Sequence, residues 1–316
     1  MALRRPGRAL TAGGWAAYAL ARYGWPRKLI FYNGGIGDDL LCTTVARELR
    51  KRRSGKIWVG TKYRELFEGN PDAQAVPSAD WRFGALAPFL GAEVRPLWYT
   101  RYDSVSDSDP EPPMHFAAMM CQQAGIRGWV SIRPYLYLRQ LERIKGRIAE
   151  NQIAVQSTTR GSDTPLRNKE WLPERFQSVV NSLSGGFSFV QLGVSGDLKL
   201  DNAIDLRGKT TLRQAAAILS HSRLFVGLAS GLMHLARAVD CPAVIVYGGR
   251  ERPEISGYIC NKNIKTTPQC SPCWQRNRCD YGRACMTSIE ASIVLSAVSE
   301  ILDRDRIELP IEQISI

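Results

Sequence analysis

Between Leu224 and Tyr247 the chain reads LFVGLASGLMHLARAVDCPAVIVY. An apolar run, a small-residue turn with a histidine, an amphipathic stretch and a second apolar run describe a strand, a tight turn, a helix and a strand. Such a unit forces a parallel sheet, because the helix has to cross over before the next strand can pair. Ser230, Gly231 and Leu232 stand where the helix begins, so their free backbone N–H groups and the positive end of the helix dipole suit an anion such as a diphosphate. Ser230 also suits the N-cap. His234, one turn in, either points a ring N–H at the same anion or is a satisfied core histidine.

The same pattern recurs along the chain. Lys28 to Asn33 predicts a strand that feeds the turn Gly34-Gly35-Ile36-Gly37, followed by a helix from about Asp38 to Lys51 with Leu41, Val45 and Leu49 on one face. A further strand is expected at Lys56 to Gly60. After Trp98 the segment TRYDSVSDSDPEPP lacks periodicity and reads as a long loop. A helix at about Arg139 to Glu150 precedes a strand at Gln152 to Gln156. Beyond it, strands at Phe187 to Leu192, Leu224 to Leu228 and Ala243 to Tyr247 alternate with helices at about Pro173 to Leu183, Leu212 to Ser220 and Leu232 to Val239. Ile289, Ile293, Val294, Ala297, Val298 and Ile301 mark a last amphipathic helix. Alternation of this kind predicts an α/β protein of two doubly wound domains, residues 28–150 and 151–316, after a basic extension over 1–27.

Three stretches together resemble glycosyltransferase family 9, the group of the ADP-heptose:lipopolysaccharide heptosyltransferases. They are KLIFYNGGIGDDLLCTTVARELR near the N-terminus, STTR with NKEWLPERFQSVV in mid-chain, and the SGLMHLA segment. The resemblance implies a GT-B fold, two Rossmann-like domains facing across a cleft, and an inverting transfer from a nucleoside-diphosphate sugar to a saccharide or glycolipid acceptor of the lipopolysaccharide type. Asp38 matches the family's catalytic aspartate and would be the general base; by itself it is a first-turn carboxylate stabilised by the dipole. The phosphate contacts fall on Thr158, Thr159, Lys169, Ser230, Gly231, Leu232 and His234, and the nucleotide-base contact on Thr210. Hydroxyls, an ammonium, amides and an imidazole all donate to phosphate oxygens, so the resemblance requires no cofactor or metal for catalysis. Ala229 departs from the family, whose heptosyltransferases have an aspartate before this turn. A donor other than heptose is then as well supported as heptose, and a catalytically silent nucleotide- or glycan-binding protein is the alternative.

GGIGDD also touches the dinucleotide fingerprint G-x-G-x-x-G, but Leu40 stands at the third glycine position. Cys270, Cys273, Cys279 and Cys285 form C-x2-C-x5-C-x5-C, a set that could hold structural zinc or iron, remain free thiols or form disulfides.

The formal net charge of +12 fits nucleic acid, anionic lipid and anionic substrates alike. No zinc-finger, homeodomain, RNA-recognition or helix-turn-helix pattern is present, so nucleic acid is not expected. Met1 to Gly37 holds no acidic residue, while Arg4, Arg5, Arg8, Arg22, Arg27 and Lys28 alternate with Trp15, Tyr18, Tyr23 and Trp25. That composition suits a segment lying on an anionic membrane. A packed or flexible extension and a signal peptide are the other readings. No apolar run approaches the roughly 20 residues that span a bilayer. The expectation is a cytoplasmic protein, peripheral on the inner face of the membrane.

Overall fold

The computed structural model describes residues 12–32, 34–162, 165–303 and 309–316. In the first half a helix, α1 (Ala12–Tyr23), precedes β1 (Lys28–Phe31), α2 (Ile36–Lys51), β2 (Ile57–Thr61), β3 (Gln74–Pro77), α3 (Trp81–Phe89) and β4 (Glu93–Pro96). The four strands form one parallel sheet in the order β3-β2-β1-β4. Next come α4 (Phe116–Gln123), β5 (Trp129–Ser131) and the short α5 (Gln140–Ile144). The helix expected over Arg139 to Glu150 is thus limited to five residues. None of those five is buried, so no apolar face holds a longer helix.

The second half opens with β6 (Gln152–Val155), α6 (Pro173–Leu183), β7 (Ser188–Gln191), β8 (Ala203–Asp205), α7 (Leu212–His221), β9 (Phe225–Leu228), α8 (Gly231–Ala238) and β10 (Ala243–Gly248). After it come α9 (Pro253–Ser256), β11 (Lys262–Lys265), α10 (Ala284–Thr287), α11 (Ala291–Leu302) and β12 (Gln313–Ser315). Six of these strands make a parallel sheet ordered β11-β10-β9-β6-β7-β8, while β12 returns to pair antiparallel with β5. Every residue of β6, β9 and β10 is buried, as continuous apolar runs in a sheet covered on both faces require.

In each sheet the chain winds outward from its first strand in one direction and then in the other, so a switch point lies between β1 and β4 and another between β6 and β9. Ligands of doubly wound sheets sit beyond the strand C-termini at such points. The halves meet through α2 and α8, and one buried apolar cluster runs from Ile30, Leu41 and Val45 to Met233, Leu235 and Tyr258. Two rigid parallel-sheet units of this kind are the GT-B architecture.

Residues 12–23 are a helix packed on the first sheet through Trp15, Ala19 and Tyr23. Arg4, Arg5 and Arg8 lie outside the described residues. Among the described residues no helix is long and apolar enough to cross a membrane.

Candidate functional site

Gly37 on α2 and the first turn of α8 are in direct contact. A Cβ on Gly37 would lie 2.8 Å from His234 Cδ2 and 3.6 Å from Gly231 Cα, and one on Gly231 would lie 3.4 Å from Gly37 N. Only two glycines permit that approach, which brings the switch points of the two sheets to one place.

On the first side, Asp38 is gripped at both oxygens. Tyr99 donates its hydroxyl to Oδ1 at 2.5 Å, and Gly35 donates its N–H to Oδ2 at 2.6 Å. A Cβ on Gly34 would collide with the same carboxylate, so the turn closes only over glycine. Tyr99 lies between Tyr32 and Phe116, with ring centroids 5.3 and 3.8 Å away. Burial pushes the Asp38 carboxyl above the ordinary range, against the hydrogen bonds from Tyr99 and Gly35 and the charges of Lys169 and Lys62. Its neighbour Asp39 turns away into the interior and accepts from Thr61 Oγ1. Burial raises Asp39 to about 7.

On the second side, Ser230 occupies the N-cap position of α8 but does not cap with its side chain. Its hydroxyl instead donates to Gln156 Oε1 at 2.6 Å, tying the end of β9 to the end of β6. The leading N–H groups of Gly231 and Leu232 are thereby left uncapped by this side chain. His234 Nδ1 lies 2.6 Å from the Tyr258 hydroxyl, and burial lowers the imidazole to about 3, so the ring is neutral. With Tyr258 donating to Nδ1, the ring proton sits on Nε2, at the edge that faces Gly37. His234 is thus a buried, neutral imidazole with one nitrogen satisfied by Tyr258, as the core reading expects.

Lys169 reaches the same area from a short 3-10 turn at 167–169 and donates to Glu251 Oε1 at 2.8 Å. Burial would raise Glu251, but Lys169 and Arg250 outweigh it and hold the carboxyl below its usual range. Arg250 continues the chain of charges to Asp109 at 2.6 Å, and Asp109 also holds Arg276. Asp107 accepts the N–H groups of Asn277 and Arg278, both at 2.7 Å. The acidic loop after Trp98 is therefore strapped to the second half, not loose.

The threonines are already engaged. Thr158 is buried, donating to Asp197 at 3.2 Å and accepting from Leu198 N at 3.1 Å. Thr159 gives both its N–H (2.6 Å) and its hydroxyl (2.5 Å) to Glu170. Thr210 sits in the turn before α7, whose side-chain cap is Thr211. Ala229 is buried at the end of β9 with its methyl in the core. Leu40 is fully buried too, so the third position of the dinucleotide pattern is core.

The four clustered cysteines are free thiols. They feel one another's charge, and N–H groups of Gln275, Gly249 and Arg283 face the sulfurs of Cys273, Cys285 and Cys279. Among the described residues, however, no three His, Cys, Asp or Glu side chains are drawn together as a metal-binding group. The sequence expectation of a metal set is not realised as coordination geometry.

Tyr99, Tyr258, Glu251 and Arg250 carry no motif and were invisible to sequence reasoning. His115 was missed likewise: Nδ1 accepts from Ala117 N at 3.1 Å, Nε2 donates to Gly257 O at 2.9 Å, and it pins α4 to the second half.

Comparison with known proteins adds a family signature and a shared fold. The family model described as glycosyltransferase family 9 (heptosyltransferase) matches residues 194–281. Curated protein sequences give no match. A glycosyl transferase family 9 structure from Veillonella parvula DSM 2008 superposes with a TM-score of 0.61 at 18% identity, covering 88% of this chain and 98% of that one. The iron-containing dodecameric glycosyltransferase TibC from enterotoxigenic E. coli H10407 gives 0.66 at 18% identity, with 87% and 76% covered. The E. coli ADP-heptose lps heptosyltransferase II gives 0.61 at 16%, with 87% and 98% covered. Residues 194–281 are similar to glycosyltransferase family 9, and the chain shares the GT-B fold of these structures.

Proposed function

We propose that the protein is a cytoplasmic inverting glycosyltransferase that moves a sugar from a nucleoside-diphosphate donor to a hydroxyl of a saccharide or glycolipid acceptor. The observation that carries the reading is the contact of Gly37, the residue before Asp38, with His234 and Gly231 at the start of α8, a helix that no side chain caps. In the reaction the acceptor oxygen forms a bond to the anomeric carbon while the bond from that carbon to the diphosphate oxygen breaks. Asp38 takes the acceptor proton. The charge that develops on the leaving diphosphate is met by the N–H groups of Gly231 and Leu232, by His234 Nε2–H and by Lys169, which exchanges Glu251 for phosphate. Thr158 and Thr159 serve by shaping the loop after β6, since their donors are held by Asp197 and Glu170.

The donor is a nucleotide sugar; the neighbour TibC forms a complex with ADP-D-beta-D-heptose. Ala229 keeps its methyl in the core at the end of β9 and presents no hydrogen-bond acceptor there, which supports a donor other than heptose. For Cys270, Cys273, Cys279 and Cys285 the free-thiol reading is the better supported, because among the described residues no three such side chains are drawn together as a metal-binding group. Elemental analysis of protein purified under reducing, anaerobic conditions tests it; one equivalent of zinc or iron would refute it.

Thermal-shift screening against ADP-, UDP-, GDP- and CDP-sugars, followed by a transfer assay, tests the catalytic reading. A donor at about 100 times its Kd stabilises the fold by roughly 2.7 kcal/mol. Asp38→Asn should abolish turnover while binding stays within a few-fold.

A further inference from the structure

At the end of the first sheet opposite the site, a basic cluster lies beside two exposed aromatic rings. Arg50, Arg53 and Lys56 come from the end of α2 and the approach to β2, and Arg27 precedes β1; all four side chains are exposed. Gly55, at φ +73°, lets the Arg27 stem lie across it, and Arg50 donates to Gly55 O at 2.8 Å. Arg27, Lys28, Arg53, Ser54 and Gly55 line an open pocket of about 320 Å³. Lys56 Nζ lies against Gly24, which places it beside Trp25.

The local carboxylates are spoken for. Glu48 pairs with Lys51 and Arg52, and Glu93 with Lys28 and Arg95. Among the described residues no carboxylate pairs with Arg27, Arg53 or Lys56. Trp25 is 57% exposed and donates its indole N–H to Leu90 O at 3.1 Å, which puts it next to Phe89, 86% exposed. The helix that carries Phe89 is apolar on its outer face as well, with Trp81, Gly84, Ala85 and Pro88 exposed and Arg82 its only charge. A surface helix normally turns polar residues outward.

We propose that this end of the first domain docks on an anionic lipid bilayer, with Arg27, Arg50, Arg53 and Lys56 over the headgroup phosphates and Phe89 and Trp25 in the interface. Uncompensated positive charge with aromatic rings at its edge complements a negatively charged, amphipathic surface, and a net charge of +12 draws the chain to it. Neither the transfer chemistry nor residues 1–11 enter the inference.

The test is flotation of the full chain with phosphatidylcholine vesicles, with and without phosphatidylglycerol. The unmutated protein should float only with the anionic vesicles and dissociate as salt rises. Each basic residue near the surface strengthens binding about fivefold, so a triple Arg27→Glu, Arg53→Glu, Lys56→Glu variant should lose more than a hundredfold. Phe89→Ser, at an exposed position, should weaken binding several-fold with an unchanged melting temperature. Absence of binding at low salt, or equal binding by the triple variant and Phe89→Ser, would overturn the proposal. A fall in apparent mass of Phe89→Ser with vesicle binding intact would assign the face to a second copy of the chain instead.

Discussion

Tyr99 donates its hydroxyl to Asp38 Oδ1 at 2.5 Å from a ring stacked between Tyr32 and Phe116. The bond stabilises the carboxylate, the form a general base must have, and opposes the burial that would protonate it. Tyr32 and Asp39 face the same group from the first half, with Lys62, and Lys169 faces it from the second.

Tyr99→Phe keeps the stacking and removes one hydrogen bond to a charged acceptor, worth about 1.5–3 kcal/mol, or roughly one to two pH units. Activity needs the deprotonated carboxyl and therefore rises with pH through its pKa. The acid limb of the rate profile should move upward by that amount, with the rate recovering at alkaline pH. A lower rate with an unmoved limb would show that Tyr99 only packs.

Lys169 and Arg250 share Glu251 but carry different burdens. Lys169→Ala leaves Glu251 held by Arg250 and Ser256, so the fold should lose little while nucleoside-diphosphate affinity falls. Arg250→Ala takes one charged partner from each of two buried carboxylates, leaving Asp109 to Arg276 and Glu251 to Lys169 and Ser256, and should cost about 3–5 kcal/mol in denaturant titration, roughly two hydrogen bonds between charged groups. The reverse ranking of stabilities would contradict the charge chain.

Asp39 is a buried carboxyl with Oδ1 unpartnered and a folded pKa of about 7, above its unfolded value. The folded state therefore holds the proton more tightly, and that stabilisation, full below the unfolded pKa, disappears as pH rises through about 7. Asp39→Asn removes the ionisation, so its melting temperature should exceed the unmutated protein's at pH 8 by more than at pH 5. The difference should be on the order of 1–3 kcal/mol. Equal differences at the two pH values would place the proton elsewhere.

The strands that carry the site were readable because they are long apolar runs next to small-residue turns. The predicted Lys28, Gln152, Leu224 and Ala243 strands and the Pro173 and Leu212 helices begin within a residue of the observed elements. Short strands such as β3, β8 and β12 left no period to detect, and their pairing is set by partners distant in sequence. Within the site, Asp38, Ser230 and His234 were visible because a backbone requirement, a glycine turn or a helix start, marks their places. Tyr99 and Glu251 carry no such mark. Their roles come from a stack with Phe116 and an ion pair spanning 82 residues, which only the fold creates.

His115 binds the two halves together through a neutral ring, accepting from Ala117 N and donating to Gly257 O. Burial lowers it to about 4, below its unfolded value, so the stability it contributes is present above roughly pH 6.5 and is lost as pH falls through 4. His115→Asn retains a side-chain acceptor for the start of α4 but cannot span to Gly257. At pH 7 the variant should be about 1 kcal/mol less stable, the net worth of one hydrogen bond. Between pH 6.5 and 4 its melting temperature should fall more shallowly than that of the unmutated protein, so that the two curves converge. The slope should shrink without vanishing, because buried His234, lowered to about 3, titrates in the same sense. Parallel curves in a melting series across that range would remove His115 from the acid response and leave it a packing residue.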